Sequence, residues 1–449
     1  MNELRKYLKS IERIPEGVSQ AEIEVEKRDE FYVSRLNGKE ASGGKSSLTE
    51  FFIKASGEKT GHVYTQDGDM DLYDNLMIAY ENSFFSARKN TEMINKNDKS
   101  INYRYDEDLY RNEKQMSEFC CLLEQKIYDM GYNTLNLQID LKRIIYGIGI
   151  INTNNLKSCT ENIMYEAEIA ATIKNRSIVA VSFEVSNECM ENISYDYICN
   201  EISRKVEEDM EEIQIDSMNT PCVINSTVAA NIMITAWKLF SGRNYYENRS
   251  CTRGMLNQKI FSEKLSISDN TKSSYSGYKY IIDCEGNRCI DTKLVENGTL
   301  KNLMTGLDTA YKKGTTPTGN SGRKDMISGV VQTEVTDVPK NIFIEPGEKK
   351  LDDMIKDMYE GIYINQSFDV FHSINISTGD FSIPCEGIVI SKGLKKGKVK
   401  GIKIEGNILE LFKSVEDVGC DMFTFAIPII KSYAVSAPSL RLSNIKISM

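Results

Sequence analysis

Residues 341–449 constrain the fold most, because strand-like and turn-like segments alternate along this stretch with only two short helical ones. Branched aliphatic residues recur mostly at even spacing in its central run, at Ile362, Ile364, Val370, Ile374 and Ile376. Even spacing places side chains on one face of a β-strand. The segment Thr378-Gly379-Asp380 interrupts the run with a glycine, which tolerates the positive φ of a chain reversal. The pattern therefore predicts an antiparallel meander.

Length and composition indicate a soluble globular protein of two or three domains. The chain has 449 residues, and its hydrophobic fraction of 41% and charged fraction of 27% are ordinary for such a protein. The formal net charge of -10 argues against a surface that binds duplex nucleic acid, since such a surface needs clustered Lys and Arg.

The N-terminus and the cysteines predict a cytoplasmic location. Residues 1–17 are charged throughout and lack the apolar core of a signal peptide. The longest apolar runs, at 144–151 and 423–430, are too short to span a membrane. The 11 cysteines are scattered and odd in number, which is not the layout of a disulfide framework.

Apolar periodicity and the positions of glycine predict the secondary structure that precedes the meander. After a first helix, strands are predicted at residues 21–25, 30–36, 48–55 and 61–65, and more strands within 135–173. Helices are predicted at residues 71–89, 106–130, 193–213 and 227–240. The acidic residues 207–209 and 211–212 are interpreted as a solvated helix face rather than a metal or partner site.

Two local patterns near the N-terminus and among the histidines resemble functional motifs without meeting their requirements. The segment Gly43-Gly44-Lys45-Ser46 lacks the spacing of a phosphate-binding loop, and a strand-like segment follows it where such a loop needs a helix. The sequence has only two histidines, His62 and His372, both in strand-like segments. They offer too little material for a Ser-His-Asp triad or a histidine-rich zinc site.

Two further patterns leave alternatives open. Cys284 and Cys289 bracket a turn and could form a metal clip, but no second pair completes it. The lysines between residues 392 and 400 are predicted to keep an edge strand soluble, and a contact with phosphate or a peptide carboxylate is the alternative.

Four segments, taken together and in order, resemble the C-terminal half of the TldD/PmbA family. They are an entry segment at 339–347, the TGDFS turn at 378–382, a glycine-marked hairpin at 387–401, and Gly406-Asn407 leading into a helix at 408–418. Short pieces within residues 245–325 are similar to the central region of the family. The resemblance thus extends over almost the whole chain.

The zinc-binding motif of the TldD branch is missing from the matching helix at 228–240. TldD members carry HExxxH on this helix, where two imidazoles bind zinc and the glutamate polarises zinc-bound water, and a cysteine near the C-terminus completes the site. By alignment, Met233 and Lys238 fall at the two histidines, Ile234 at the glutamate and Thr424 near the cysteine. The sequence therefore resembles the TldE branch, also called PmbA, whose members lack the metal and act with a TldD partner.

The resemblance implies an α+β fold, with an N-terminal α/β domain at residues 1–220 and a C-terminal antiparallel β-rich domain at 221–449. It also implies a non-catalytic subunit of a heterodimeric metalloprotease that cleaves unfolded or modified peptides. We expect no catalytic residue, metal or other cofactor in this chain, with zinc in the TldD-like partner. Two alternatives stay open: a peptide-binding or regulatory homodimer without proteolysis, or an enzyme of different chemistry that uses Asp380, Arg323 or Lys238.

Five residues are candidates for contact with a peptide. Asn320 and Arg323 lie in the segment TGNSGR of the central region, and Asp380, Phe381 and Ser382 follow the reversal of the meander. A guanidinium can hold a peptide carboxylate or carbonyl in a fixed orientation, which makes Arg323 the most suggestive of the five. Asp380 is also interpreted as a residue that only caps its turn.

Overall fold

The structure is a computed structural model that describes residues 11, 13–69, 71–85, 100–323, 335–425 and 433–449. The chain has the predicted mixed α+β fold, which is rich in strands and built mainly from antiparallel sheets. The division at residues 220 and 221 stays a prediction. A helix predicted before residue 21 falls largely outside the described residues.

Within the described residues, the N-terminal part is built around one large sheet with three α-helices on one face. Its strands are β1 (Gln20–Leu36), β2 (Lys39–Ser56), β3 (Thr60–Thr65), β4 (Asn102–Arg104), β5 (Thr134–Asn152), β6 (Lys157–Lys174) and β7 (Ile178–Asn187). Its helices are α1 (Leu72–Ser83), α2 (Glu113–Asp129) and α3 (Tyr195–Glu207). The strand order is β3-β2-β1-β5-β6, with β4 and β7 both paired to β6. Among the described strands of this sheet, only the β4 to β6 pairing is parallel.

The two faces of β1 differ in chemistry, and this difference positions the site described below. Ile23 and Val25 pack with Leu76 of α1, while Phe31 and Val33 pack with the apolar sides of α2 and α3. Because side chains alternate along a strand, the even-numbered residues face the other way. Those residues are the charged set Glu22, Glu24, Glu26, Arg28 and Glu30.

Several predicted boundaries in this part were wrong. The strands predicted at 21–25 and 30–36 are one 17-residue strand, β1, because the charged residues between them continue the alternation. The helix predicted at 106–130 is split into a short 3-10 helix at Glu107–Leu109 and α2. Asn112 starts α2 with a capping box that includes Gln115. Of the helix predicted at 71–89, α1 ends at Ser83, and its last four positions lie outside the described residues.

The interpretation of the acidic cluster after α3 as a solvated face was wrong for Glu208. This carboxylate is buried, and it accepts hydrogen bonds from Arg204 (3.0 Å), from the hydroxyl of Tyr363 (2.9 Å) and from the amide of Asn365 (2.7 Å). Tyr363 and Asn365 belong to the C-terminal part. Glu208 therefore joins the two parts of the chain through charge-assisted hydrogen bonds.

The C-terminal part contains two six-stranded sheets and a two-stranded ribbon among the described residues. Its strands are β8 (Met218–Ile224), β9 (Ile267–Asn270), β10 (Thr292–Glu296), β11 (Thr299–Leu300), β12 (Ser321–Gly322), β13 (Thr336–Asp337), β14 (Asn341–Ile344), β15 (Glu360–Ser367), β16 (Asp380–Ser391), β17 (Leu394–Asn407), β18 (Val415–Val418), β19 (Phe423–Phe425), β20 (Ala434–Ala437) and β21 (Leu440–Ser448). Its helices are α4 (Ser226–Ala236), α5 (Gly242–Tyr246), α6 (Leu307–Lys313), α7 (Leu351–Met358) and α8 (Ile408–Lys413).

The predicted meander is present as β15, β16 and β17, which form half of one of these sheets, but Val370, Ile374 and Ile376 of the predicted run lie in the segment between β15 and β16 and not in a strand. The order of this sheet is β17-β16-β15-β8-β21-β18, and β21 also pairs with β17, so that five of the strands close into a ring. The other six-stranded sheet has the order β11-β10-β9-β14-β20-β19, and β12 pairs with β13. Helix α4 packs against β15, β19 and β20 and continues as a 3-10 helix at Trp237–Phe240, which matches the helix predicted at 227–240.

None of the helices in the described ranges is long and apolar enough to cross a membrane.

The turn before β16 has the predicted glycine conformation, since Gly379 has a φ of +86°. A Cβ atom at this position would lie 2.8 Å from the side-chain nitrogen of Asn407. The Asn407 amide caps α8 and also donates to the backbone oxygen of Thr378. The turn and the start of α8 therefore share one side chain.

We predict that Gly379→Ala destabilises the protein more than Gly38→Ala does. Both glycines have similar φ values, of +86° and +84°, but no atom of the described residues lies within 4 Å of a Cβ at Gly38. Each substitution costs about 1–2 kcal/mol of backbone strain, and Gly379→Ala also displaces the Asn407 cap. Urea unfolding of the two variants measures the difference, and equal losses would contradict the proposed clash.

Candidate functional site

The helix that aligns with the zinc motif is part of the hydrophobic core. Met233 and Ile234 of α4 are buried in the largest apolar cluster, among side chains of both six-stranded sheets. Lys238 lies in the 3-10 helix that follows, with its Nζ 5.8 Å from the ring centre of Trp237. A thioether, an aliphatic group and an ammonium are not zinc ligands, and the ammonium repels a cation. The residues at these positions do not fit a zinc ion.

Thr424 lies on β19 beside α4, where the family alignment places the cysteine. Its hydroxyl donates to the backbone oxygen of Tyr275 (2.6 Å) and lies 2.8 Å from the hydroxyl of Ser436. Within the described ranges, no group of three His, Cys, Asp or Glu side chains is gathered closely enough to hold a metal ion. That this chain has no metal of its own stays a prediction.

The three candidates for peptide contact that follow the meander reversal stabilise the turn in which they lie. Phe381 is buried in the largest apolar cluster. Asp380 accepts a hydrogen bond from the side chain of Asn407 (3.2 Å), and Ser382 donates to Glu405 on the neighbouring strand (3.4 Å). A role of these residues in binding peptide stays a prediction.

Asn320 lies at the centre of a buried polar cluster. Its side-chain nitrogen donates to Asp269 (2.7 Å) and to the backbone oxygen of Val338 (2.8 Å). Its side-chain oxygen accepts from Lys340 (2.9 Å) and from the hydroxyl of Thr318 (2.5 Å). Because both ends of the amide have partners, Asn320 holds together the loops that carry these residues.

Arg323 is also buried, with 3% of its surface exposed, and it pairs with the N-terminal sheet. Its Nε donates to Glu24 of β1 at 2.6 Å, and its guanidinium lies 4.9 Å from the ring centre of Phe52 on β2. A peptide carboxylate would have to compete with Glu24 for this guanidinium. The peptide contact therefore stays a prediction. The observed contact is a buried, hydrogen-bonded pair of Arg323 and Glu24 that joins the two parts of the chain.

A second buried charge cluster lies next to this pair. Lys54 of β2 contacts Glu22 of β1 (3.1 Å) and Glu285 (3.3 Å). Glu285 accepts a hydrogen bond from the hydroxyl of Ser321 (2.6 Å), and Asp283 accepts one from the backbone nitrogen of Ser321 (3.1 Å). Residues 283–285 and 321–323 are thus tied to the charged face of the sheet.

These contacts enclose one side of a cavity of about 330 Å³. Its floor is the charged face of the sheet, formed by β1, β2, β5 and β6, and its roof is formed by residues 279–284, 319–323 and 338–340. Asn320 and Arg323 both line it, whereas Asp380, Phe381 and Ser382 do not. The structure therefore separates the five predicted residues into two groups.

Burial raises the pKa of carboxyl groups on the charged face of the sheet and in the loop that covers it. It raises the pKa of Glu24 to about 8, and the neighbouring Arg323 guanidinium only partly opposes this. Burial also raises the pKa of Asp283 to about 7, with the nearby Glu285 acting in the same direction. The pKa of Glu22 is raised by burial as well, although Lys54 opposes it.

Comparison with known proteins identifies the class of this strand-rich fold. A model of the PmbA/TldA metallopeptidase C-terminal domain matches residues 217–449. This match covers more than half of the chain, so the chain belongs to the PmbA/TldD family, as the sequence motifs predicted. The alignment and the buried apolar helix α4 distinguish it from members that carry HExxxH.

Curated relatives match parts of the chain. A metalloprotease of Methanothermobacter thermautotrophicus is 33% identical over 178 residues, which is 38% of this chain and 36% of the relative. A metalloprotease PmbA homolog of Buchnera aphidicola is 23% identical over 267 residues, which is 60% of this chain and 54% of the relative. The matched stretch thus spans between about a third and about half of these relatives.

Solved structures match the whole fold at low sequence identity. The crystal structure of TldE from Thermococcus kodakarensis superposes with a TM-score of 0.78 at 18% identity, covering 100% of this chain and 98% of that one. A Thermotoga maritima protein, described as a modulator of a DNA gyrase, gives a TM-score of 0.77 at 21% identity with 96% of each chain covered. Both likenesses concern the fold.

Sequence reasoning missed the buried charges on the face of β1 that is covered by the C-terminal part. Glu22 and Glu24 belong to the alternating run EIEVE, and in a sheet with one exposed face such carboxylates point to solvent. Here that face is covered by the C-terminal part. The signal in the sequence was the repeated glutamate at even positions of β1. Lys54 on β2 is opposite Glu22, and Arg323 in TGNSGR pairs with Glu24.

We predict that Glu24→Leu destabilises the protein by about 3–5 kcal/mol, because it leaves the buried Arg323 guanidinium without its carboxyl partner. The double variant Glu24→Leu with Arg323→Met should recover most of this loss, since apolar groups of similar size can replace a buried pair. Chemical unfolding of both variants is the measurement. A double variant as unstable as Glu24→Leu alone would contradict the pairing.

We also predict that stability falls as pH rises from about 4.5 to 8. A carboxyl group with a raised pKa in the folded state holds its proton there after the unfolded chain has lost it, so the stability it provides at low pH is lost across this window. Glu24, Asp283 and Glu22 all have pKa values shifted in this direction.

Thermal unfolding at pH 5.5 and pH 8.5 measures the effect. Glu24→Gln should make the fall in the midpoint temperature smaller, because the amide cannot ionise. Glu113→Gln, at the exposed start of α2, is the matched control and should leave the fall unchanged. A midpoint that is higher at pH 8.5 than at pH 5.5 in the wild-type protein would refute the prediction.

Proposed function

We propose that this chain is a TldE-like, non-catalytic subunit that acts with a TldD-like zinc subunit in cleaving unfolded or modified peptides. The supporting observation is the burial and the side-chain chemistry of α4 and of the 3-10 helix that follows it. Met233 and Ile234, at two of the positions of the family's zinc motif, are buried in the core, and Lys238 brings a positive charge to the third. Membership of a metallopeptidase family without these ligands points to catalysis by a partner.

In this proposal the chain shapes the chamber and docks the peptide. Strand β19 is the last strand of its sheet within the described residues, and it packs beside α4. An edge strand can pair with an extended peptide through backbone hydrogen bonds, which bind any sequence. The site for peptide docking is therefore proposed at this edge, next to the position where the family places its metal.

We predict that the isolated chain retains no stoichiometric zinc after dialysis against a weak chelator, and that it cleaves no peptide alone. Added to a TldD-like subunit, it should form a complex with a buried interface above roughly 2,000 Å² and increase the cleavage of an unfolded peptide. Elemental analysis, light scattering and a peptidase assay are the measurements.

The control is the same assay with a TldD-like subunit whose zinc-motif glutamate is replaced by glutamine. This variant should still form the complex and should abolish cleavage, because the chemistry belongs to the partner. Cleavage that persists in the presence of this variant would place catalysis in the present chain and contradict the proposal. Peptide binding by a homodimer that never joins a TldD-like subunit would favour the regulatory alternative.

A further inference from the structure

The floor of the cavity between the N-terminal sheet and the C-terminal roof consists of two neighbouring rungs of the sheet. In one rung, Arg28 of β1 is opposite Leu48 of β2 and Tyr146 of β5, and Tyr146 is opposite Asn162 of β6. In the other rung, Glu26 of β1 is opposite Glu50 of β2 and Ile148 of β5, and Ile148 is opposite Thr160 of β6. Residues directly opposite each other share a face, so all eight side chains meet the cavity.

Several polar groups around the cavity are committed to structural contacts. Lys340 donates to Asn320 (2.9 Å) and to backbone oxygens of the roof, and Arg323 is paired with Glu24. Lys279 donates to the hydroxyl of Tyr103 (2.5 Å), and Glu50 accepts from the hydroxyl of Tyr64 (2.9 Å). These groups hold the walls of the cavity.

Two atoms on the first rung differ from the rest. Asn162 is 5% exposed, and its side-chain oxygen has no hydrogen-bond partner among the described residues. The Nη2 atom of Arg28 is buried and also lacks a partner within these residues, while its Nε pairs with Glu30. An unpaired buried donor or acceptor is unfavourable, because it has lost its hydrogen bond to water without gaining another. A ligand that satisfied both would supply the missing hydrogen bonds.

The chemistry of the two atoms defines the ligand. Glu30 already balances the charge of Arg28, so Nη2 needs an acceptor oxygen rather than a counter-ion. The oxygen of Asn162 needs an N–H donor. Arg28 and Asn162 lie two strands apart, which is about 10 Å between backbones, and two extended residues span about 7 Å. A volume of 330 Å³ is at the lower end of small-molecule pockets, which start at about 300 Å³.

We propose that this cavity binds a short neutral peptide segment of about two residues, with a carbonyl oxygen on Arg28 and an amide N–H on Asn162. The site is separate from the edge strand β19. It can be measured on the isolated chain, so its failure would not affect the proposed role beside a zinc subunit.

The test is calorimetric titration of the purified chain with N-acetyl-alanyl-alanine amide and with the same compound methylated at its amide nitrogens. The wild-type chain should bind the first compound on the order of tenfold more tightly than the second, since methylation removes the donor for Asn162. Asn162→Leu should abolish this difference, and Arg28→Met should weaken the binding of both compounds.

Two variants keep the test informative. Asn162→Asp retains the acceptor atom and should retain the preference for the unmethylated compound, even where Asn162→Leu folds poorly. Arg176→Met, at an exposed arginine outside the cavity, is the matched control for Arg28→Met and should bind like the wild type. Binding weaker than about 10 mM, or binding that tolerates methylation and both cavity substitutions, would overturn the proposal.

Discussion

The arrangement of the chain depends on one layer of buried charges. This layer lies between strands β1 and β2 on one side and the loops at 283–285 and 321–323 on the other. One face of the N-terminal sheet packs on helices through apolar side chains, and the other carries carboxylates that must be paired once they are buried. Lys54 contacts both Glu22 and Glu285, and Arg323 pairs with Glu24. A rotation of one part over the other would leave charges unpaired, so this layer fixes orientation more than it adds stability.

The same layer explains why a cavity survives between the two parts. Each charged group at this interface requires a partner at a defined distance and direction, which limits how the two parts can approach each other. The roof is held by a network centred on Asn320 and Lys340, and the floor is held by the backbone ladder of the sheet. Rigid walls of this kind keep Arg28 and Asn162 in place on the floor, so a ligand would meet a preformed site.

The sequence predicted what local periodicity controls and missed what depends on distant partners. The meander and the helix at 227–240 followed from apolar spacing, and the family followed from four ordered motifs. The continuity of β1 across its charged residues was missed although it is a local pattern. The burial of Glu24 was missed because its partner Arg323 is 299 positions away in the chain. Glu208 was misread for the same reason, since its partners Tyr363 and Asn365 lie more than 150 positions further on.

The helix α4 shows how one position in a fold serves either chemistry or packing. A zinc helix must leave two imidazoles and a carboxylate facing an open space, which removes apolar surface from the core. In this chain Met233 and Ile234 fill that place and join the core of both sheets. Replacing Met233 and Ile234 by histidine and glutamate would bury polar side chains among apolar neighbours. The loss of folding free energy could not be offset by single substitutions. The packing of α4 therefore uses for the core the positions that a zinc helix would use for ligands, and this is the observation behind the proposed role.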